Sequence, residues 1–532
     1  MVFLGHCILQ SNSEAKYIEN MDFLNDEEYD TDDRDSIAET ENLGLGISKE
    51  ISKYLFDQAG DLIEEDAEEI SLLANKHLLN DSVGLIISEV LYENPLPFKL
   101  QQFQLLTLHC IGSLKNVVLI SPTGSGKMIL AYLSILVLEK VFKVEKGVGL
   151  GSQPLSALME EKVKTSMIPT GLISMKGELK HSSDDGVTTT SRPIEKFKNG
   201  EIKCILGHPE SWLSATAKDI LTSLQSQGRI IFTFVDEFQM NLSNHWGAEF
   251  RPFMKTLPGQ LRASAVKGAP VLAMSATSTK VEVEELKSIL GLRNNTVVLQ
   301  ASPVQSQHMF VKIKRPANIY GSYGLEGGES GELEKPGTVQ LLDRICLDDY
   351  VKCLRSGEQP KKTIIFFRKE DDIPDIYDEL CERLPEFCQN PETIPWVQNH
   401  SGIGPVTAES IRKRRDSISL YLTTSVMLLG LDFTDIDIII MVRPFNSCHY
   451  LLQAAGRGGR KMENGLRKKV LFYLLYNNSD ISRNVPGLSQ DMREFCKSDG
   501  CLKEFLNKVF GFVSKSKSKS DWCCSNCLPI RS

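Results

Sequence analysis

The chain has 532 residues, 41% of them hydrophobic, and a formal net charge of −9. That is too long for one ordinary core and enough for two or three domains. No stretch reaches the roughly 20 apolar residues that span a bilayer, and the opening Met-Val-Phe-Leu-Gly-His lacks the basic start of a secretory signal; an intracellular protein with no membrane partner is expected. Its 13 cysteines should then be reduced thiols, and five of them (Cys496, Cys501, Cys523, Cys524 and Cys527) fall in the last 37 residues, a candidate metal cluster.

The charge is uneven. Residues 11–70 hold 20 Asp and Glu against 4 Lys and Arg, a net of −16, which leaves +7 on residues 71–532. We expect residues 1–80 to be an acidic, largely disordered region, with helical periodicity confined to 47–80. Apolar strand patterns follow at 117–120, 204–206, 230–235, 271–274 and 296–299, each separated by enough chain for a crossover helix. The glycine-rich stretch 321–337 reads as an exposed loop, and a second series of strands follows at 363–367, 396–398, 419–423, 436–441 and 470–474. The fold class is α/β, with two tandem parallel-sheet domains at about 81–300 and 301–480 and a small C-terminal helical subdomain at 481–532. The serine-lysine alternation at 514–520 is low-complexity.

Residues 121–128 read Ser-Pro-Thr-Gly-Ser-Gly-Lys-Met, between the apolar strand 117–120 and a helical stretch at 129–141. A glycine turn there lets backbone N–H groups and the helix N-terminus converge on phosphates, with a lysine reaching the terminal ones. Thr123, Gly124, Ser125, Gly126, Lys127 and Met128 are therefore the candidate ATP-binding loop. Two positions depart from the P-loop pattern: Ser121 stands where its first glycine belongs, and Met128 where a Ser or Thr hydroxyl would meet Mg²⁺. The strand 230–235 delivers Asp236 and Glu237 at its end, the place for a Mg²⁺ carboxylate and a carboxylate that activates water. Ser275-Ala276-Thr277 follows the next strand, and the run from Gln453 to Arg460 sets Arg457 and Arg460 beside glycines, suited to stabilising charge on a transferring phosphoryl group.

Taken in order, these segments resemble the motifs of superfamily 2 helicases, and more narrowly those of the RecQ DNA helicases. Residues 154–163 are similar to the family's motif Ia, His208-Pro209-Glu210 to its T-P-E motif, and 243–252 (Ser-Asn-His-Trp-Gly-Ala-Glu-Phe-Arg-Pro) to its aromatic loop. Trp246 and Phe250 suit stacking on bases of any sequence and Arg251 suits a phosphate or carboxylate, although Trp246 also reads as a core anchor. Residues 423–432, containing Thr424, look like motif V and 363–368 like motif IV. In 100–104 the resemblance makes Gln104 the adenine reader, with Gln102 as fallback. It implies two RecA-like domains using ATP and Mg²⁺, catalytic roles for Lys127, Asp236, Glu237, Gln239, Arg457 and Arg460, and DNA contacts from Trp246, Phe250, Arg251 and Thr424. Gln239 replaces the family's histidine in motif II, and two extra residues separate Asp236 from Trp246.

The C-terminus is similar to a partial RecQ zinc subdomain. Cys501, Cys524 and Cys527 are implied Zn²⁺ ligands; because Ile530 stands at the family's last cysteine, Cys496 or Cys523 completes the four, or a water does, or the site is defunct. The implied activity is an ATP-dependent 3′-to-5′ DNA helicase of repair and recombination on single-stranded and tailed duplex DNA, nuclear in a eukaryote. Two rivals stand beside it. Met128 motivates a nucleotide-gated DNA-binding protein with weak or no hydrolysis, and the second is an RNA helicase, which the aromatic loop argues against. Arg412-Lys413-Arg414-Arg415 reads either as an import signal or as a basic helix face.

Overall fold

Apolar runs bounded by glycine or polar residues form strands buried on both faces, as a parallel sheet between helices demands. The computed structural model describes residues 82–153, 156–183, 186–189, 193–242, 253–292, 296–315, 337–429, 435–460, 462–463, 466–512 and 523–527. One compact unit holds nearly all of the chain up to Ser302, and a second holds the remainder. Among the described residues no helix is long and apolar enough to cross a membrane.

The first unit opens with α1 (Ser82–Glu93) and α2 (Gln102–Gly112) and then alternates. Its succession is β1 (Val117–Ile120), α3 (Lys127–Phe142), β2 (Val148–Ser152), α4 (Ser156–Lys164), β3 (Thr170–Ile173), β4 (Leu179–Ser183), β5 (Gly186–Thr189), α5 (Pro193–Lys198) and β6 (Cys204–Gly207). It continues with α6 (Ala215–Ser226), β7 (Ile230–Asp236), α7 (Phe253–Ser264), β8 (Val271–Ser275), α8 (Lys280–Ile289) and β9 (Val297–Gln300). These strands make one nine-stranded sheet in the order β5-β4-β3-β6-β2-β7-β8-β1-β9. It is parallel from β3 to β9, with β4 and β5 added as an antiparallel edge. The period-2 alternation of β1 splits its side chains between two cores. Val117 and Leu119 pack with Leu130, Leu133 and Val137 of α3, while Val118 and Ile120 pack with Val283 and Leu286 of α8.

The second unit begins with β10 (His308–Lys314) and a helix running from α9 (Gly337–Leu342) through a π turn (Asp343–Leu347) into α10 (Asp348–Ser356). Then come β11 (Thr363–Phe367), α11 (Ile373–Arg383), β12 (Trp396–Asn399), α12 (Pro405–Lys413), β13 (Leu420–Thr423), β14 (Ile438–Val442) and α13 (Cys448–Ala455). A small hairpin of β15 (Met462–Glu463) and β16 (Leu466–Arg467), then β17 (Val470–Tyr476), α14 (Gln490–Lys497) and α15 (Leu502–Val509), complete it. Its six-stranded sheet is parallel throughout, in the order β10-β17-β14-β11-β13-β12. Ile364 and Phe366 enter one core and Ile365 and Phe367 the other. The molecule thus consists of two RecA-like domains followed by a small helical region that carries a cysteine cluster.

Every strand expected from the sequence is present, with ends differing by one or two residues at most. The structure adds β2, β3, the β4–β5 hairpin, β10 and the short β15–β16 hairpin. β2 escapes a propensity argument because two of its residues are glycines, and packing explains them. A Cβ on Gly149 would lie 2.4 Å from Ile135 Cδ1, and one on Gly151 2.3 Å from Phe234 Cζ. Helix α3 and the ring of the neighbouring strand already fill that space. β4 and β5 escape because Lys180, His181, Ser182 and Ser183, then Thr188 and Thr189, give no apolar run. Within 321–337 only Gly337 lies in the described residues, where it starts α9; the expectations for 1–80 and 514–520 lie outside them. Gly151→Val is expected to force the Phe234 ring aside and cost roughly 1–3 kcal/mol, read as a lower thermal midpoint of the first domain expressed alone or in the full chain.

Candidate functional site

Parallel pairing levels the C-terminal ends of three strands. Ile120 of β1 pairs with Ser275 of β8, and Asp236 of β7 pairs with Met274 of β8. In an open α/β sheet such an end is where ligands bind. Three chain segments leave from it together: the glycine loop after β1, the acidic pair after β7, and Ser275-Ala276-Thr277 after β8.

The loop is held open by backbone geometry that only glycine adopts without strain. Gly124 has φ +74° and Gly126 φ +79°, and Gly126 occupies the N-cap of α3, which leads into Lys127. From β1 to α3 the polar groups tie the loop to itself. Ser121 Oγ and Ser125 Oγ lie 2.8 Å apart, and the largely buried Lys127 ammonium donates to the Ser121 carbonyl at 2.8 Å. Gln104 is buried beneath the loop. Its Nε2 donates to Ser125 O at 2.8 Å while its Oε1 accepts from the Gln101 N–H at 2.7 Å. It therefore braces the phosphate loop from helix α2, and a Cβ on Gly126 would lie 2.7 Å from its amide.

Glu237 follows Asp236 in the left-handed region, φ +50°, a conformation that costs a non-glycine residue about 1–3 kcal/mol and clusters at functional sites. Its carboxylate is aimed by Gln239, whose Nε2 donates to Glu237 Oε2 at 2.7 Å. The other end of that amide, Gln239 Oε1, is buried and finds no donor among the described residues. Next to it, Ser275 Oγ donates to Thr277 O at 2.7 Å and accepts from the Thr277 N–H at 3.0 Å, which fixes the turn after β8.

Asp236 is the most constrained group of the set. Its Oδ2 accepts from the Lys162 ammonium at 2.7 Å and from Gln153 Nε2 at 3.3 Å, and its Oδ1 accepts from the Glu237 N–H at 3.1 Å. Burial alone would push this carboxyl up, but the Lys162 ammonium, aided by that of Lys127, holds it below the usual carboxylate range. Sequence reasoning missed both Lys162 and Gln153. Lys162 lies inside the run noticed only as motif Ia, and Gln153 is set opposite β7 by the pairing of Ser152 with Val235. Gln153 Nε2 also lies 3.1 Å from the Met128 sulfur.

The Mg²⁺ assigned to Asp236 from the sequence does not fit this donor set. Mg²⁺ takes hard oxygen ligands in octahedral geometry, whereas the carboxylate is already paired with an ammonium and the residue after Lys127 offers a thioether. A divalent ion bound at Asp236 Oδ2 would have to displace Lys162.

The remaining site residues are distributed as follows. In the second domain Arg457 is buried and donates to the Leu428 carbonyl, and Arg460 Nε donates to Gly456 O at 2.9 Å. Both follow α13, whose Gln453 is buried. Thr424 stands partly exposed at the C-terminal end of β13. Trp246, Phe250 and Arg251 lie outside the described residues.

The cysteines resolve the choice left open by the sequence. Cys501, Cys523, Cys524 and Cys527 bring their sulfurs within 4.8 Å of one another, while Cys496 is packed in the core of the second sheet. Separations of 3.5 Å (Cys501 to Cys523), 3.5 Å (Cys524 to Cys527) and 3.8 Å (Cys523 to Cys527) come close to the edge of about 3.8 Å that a tetrahedron with Zn–S bonds of about 2.3 Å would have. The four thiols therefore fit a structural zinc ion. Burial and the adjacent thiols push Cys527 up to about 12 and Cys523 higher still. Cys524 is buried too, yet backbone N–H groups, including that of Leu502 at 3.4 Å, draw it below its ordinary value. Asn526 pins the turn by donating to Ser498 O at 2.9 Å and Gly500 O at 2.8 Å. The same segment pairs with the edge strand β10, through Phe310 N–H to Cys523 O at 3.4 Å and Ser525 N–H to Phe310 O at 2.8 Å.

Comparison with known proteins follows these two domains. Residues 101–286 match the DEAD/DEAH box helicase family and residues 344–462 the helicase conserved C-terminal domain. The "ATP-dependent DNA helicase Q-like 5" of Arabidopsis thaliana is 24% identical over 89% of this chain and 45% of its own length. The "ATP-dependent DNA helicase Q1" of Mus musculus is 28% identical over 81% of this chain and 61% of its own. The chain thus spans about half to three-fifths of the length of these curated relatives. Among solved structures, the DUF1998 helicase MrfA bound to DNA has a TM-score of 0.54 at 15% identity, over 80% of this chain and 54% of that one. The DEAD-box helicase Mss116 bound to ssRNA and UDP-BeF has a TM-score of 0.53 at 16% identity, over 86% and 82%. The two domains are therefore similar, in order, to the two halves of a superfamily 2 helicase core.

For the cluster, protein purified without chelator is expected to carry stoichiometric zinc by elemental analysis. Cys523→Ser should lower that content, whereas Cys496→Ser should retain it. Zinc lost equally from both variants would place the fourth ligand elsewhere.

Proposed function

We propose that the chain is an ATP-driven translocase of the RecQ type, moving 3′-to-5′ on single-stranded DNA and displacing short tailed duplex in repair or recombination. The observation that carries this reading is the convergence of Lys127, Asp236 and Glu237 at the level strand ends of one sheet. The names of the relatives, DNA helicases at 24% and 28% identity over most of this chain, favour DNA over RNA.

The residues divide the work chemically. The loop N–H groups and the Lys127 ammonium neutralise the terminal phosphates, and the charge that develops on them in the transition state is what they are built to stabilise. Glu237 is the group that polarises water. The donor-less Gln239 Oε1, on the same amide that aims Glu237, is available to take the second hydrogen of that water. Arg457 and Arg460 are the candidate arginines for phosphoryl charge on the second domain. Trp246 and Phe250 are the candidate stacking groups that would couple DNA to turnover.

Lys127→Ala and Glu237→Gln are each expected to abolish ATP hydrolysis stimulated by single-stranded DNA, and Trp246→Ala to remove the stimulation while sparing basal turnover. Gln239→Ala, which releases the Glu237 carboxylate without removing it, should lower kcat by about tenfold to a hundredfold, less than the roughly 10²–10⁴ that losing a general base costs. Strand displacement on 3′-tailed, 5′-tailed and RNA substrates decides direction and substrate. A preference for 5′ tails, or for RNA over DNA, would overturn the RecQ-type reading. A second reading, a nucleotide-gated DNA-binding protein, is favoured by Met128 and the occupied Asp236, and wild-type turnover no higher than that of Lys127→Ala would establish it.

A further inference from the structure

The acidic pair of a nucleotide site ordinarily leaves its first carboxylate open for a metal. Here that position is filled. Helix α4 is seated on the sheet by Met159 and Val163, both about 1% exposed, and the Tyr132 hydroxyl donates to the Lys162 carbonyl at 3.4 Å. The backbone of Lys162 is thereby fixed and its side chain, 23% exposed, runs inward to Asp236, 8% exposed, with a 2.7 Å contact. Gln153, 2% exposed, lies against the same carboxylate oxygen and against Met128, and its own Oε1 finds no donor among the described residues. The hydroxyl that would join a metal's ligands and the free carboxylate that would hold it are thus both missing, for reasons that agree with each other. A cationic side chain stands at the carboxylate, and a sulfur stands where the hydroxyl would be.

We propose that Lys162 is the permanent counter-ion of Asp236, and that this site takes a nucleoside triphosphate as its free polyanion, with no divalent metal needed for binding. Lys162 neutralises Asp236, so that no carboxylate charge repels the phosphates, and the Lys127 ammonium with the loop N–H groups is left to face them. This rests on the reading above that the site takes ATP. It also makes Lys162 a brake on hydrolysis, because the carboxylate is withheld from any metal that arrives with the nucleotide.

The test is equilibrium binding of ATP to the full chain by calorimetry, in excess Mg²⁺ and in excess EDTA. The wild type is expected to bind with a Kd that changes by less than about threefold between the two. Lys162→Gln, which keeps a donor but removes the charge, should become metal-dependent, with binding weaker by about tenfold or more in EDTA than in Mg²⁺. Lys162→Arg should keep the metal independence. Wild-type affinity that falls about tenfold or more in EDTA overturns the inference and leaves the ATP reading intact. No ATP binding in either buffer overturns the ATP reading and the inference with it. The wild-type comparison stands whether or not Lys162→Gln folds, and a thermal melt of the variants identifies that case.

Discussion

Parallel pairing in register is the constraint on which the first domain depends. Because β7, β8 and β1 run side by side in one direction, the loops that leave Ile120, Asp236 and Ser275 emerge at one level of the sheet. The residues that follow need no long-range search to meet. Their chemistry is set by how deeply the level is buried: a carboxylate such as Asp236 cannot stay ionised there without a cation. Lys162 supplies it, and helix α4 must be where it is for that to happen.

Much of this arrangement is legible in the residue order, because the fold's strongest local signals are also its functional ones. An apolar quartet ending at Ile120, a turn with two glycines and an apolar helix starting at Lys127 determine one another. Likewise a seven-residue buried strand can deliver Asp236 only at its end. The domain pattern is legible for the same reason: strands buried on both faces are unbroken apolar runs. What escapes notice is whatever tertiary packing decides. Gly149 and Gly151 look like a loop until Ile135 and Phe234 are seen to fill the space above them. Lys162 looks like one more charge on an amphipathic helix until α4 is laid on the sheet. Spacing alone leaves Cys496 and Cys523 equivalent, and only the burial of one in an apolar core separates them.

Two of the site's glutamines show how an amide can serve two masters. Gln104 uses both ends, one on its own helix start and one on the phosphate loop, so the loop inherits the rigidity of α2. Gln239 uses one end to aim Glu237, while the other, buried, finds no donor among the described residues.

The cysteine segment has a role in the architecture apart from any metal. β10 is the outermost strand of the second sheet, and an outermost strand offers a row of open N–H and C=O groups to any other chain that can pair with it. The turn holding Cys523 to Cys527 lies along that row and takes both backbone groups of Phe310. Four thiols gathered at a point thus fasten a lid over a reactive margin. When the lid is released, the margin is open to a neighbouring molecule, and the consequence is self-association in solution.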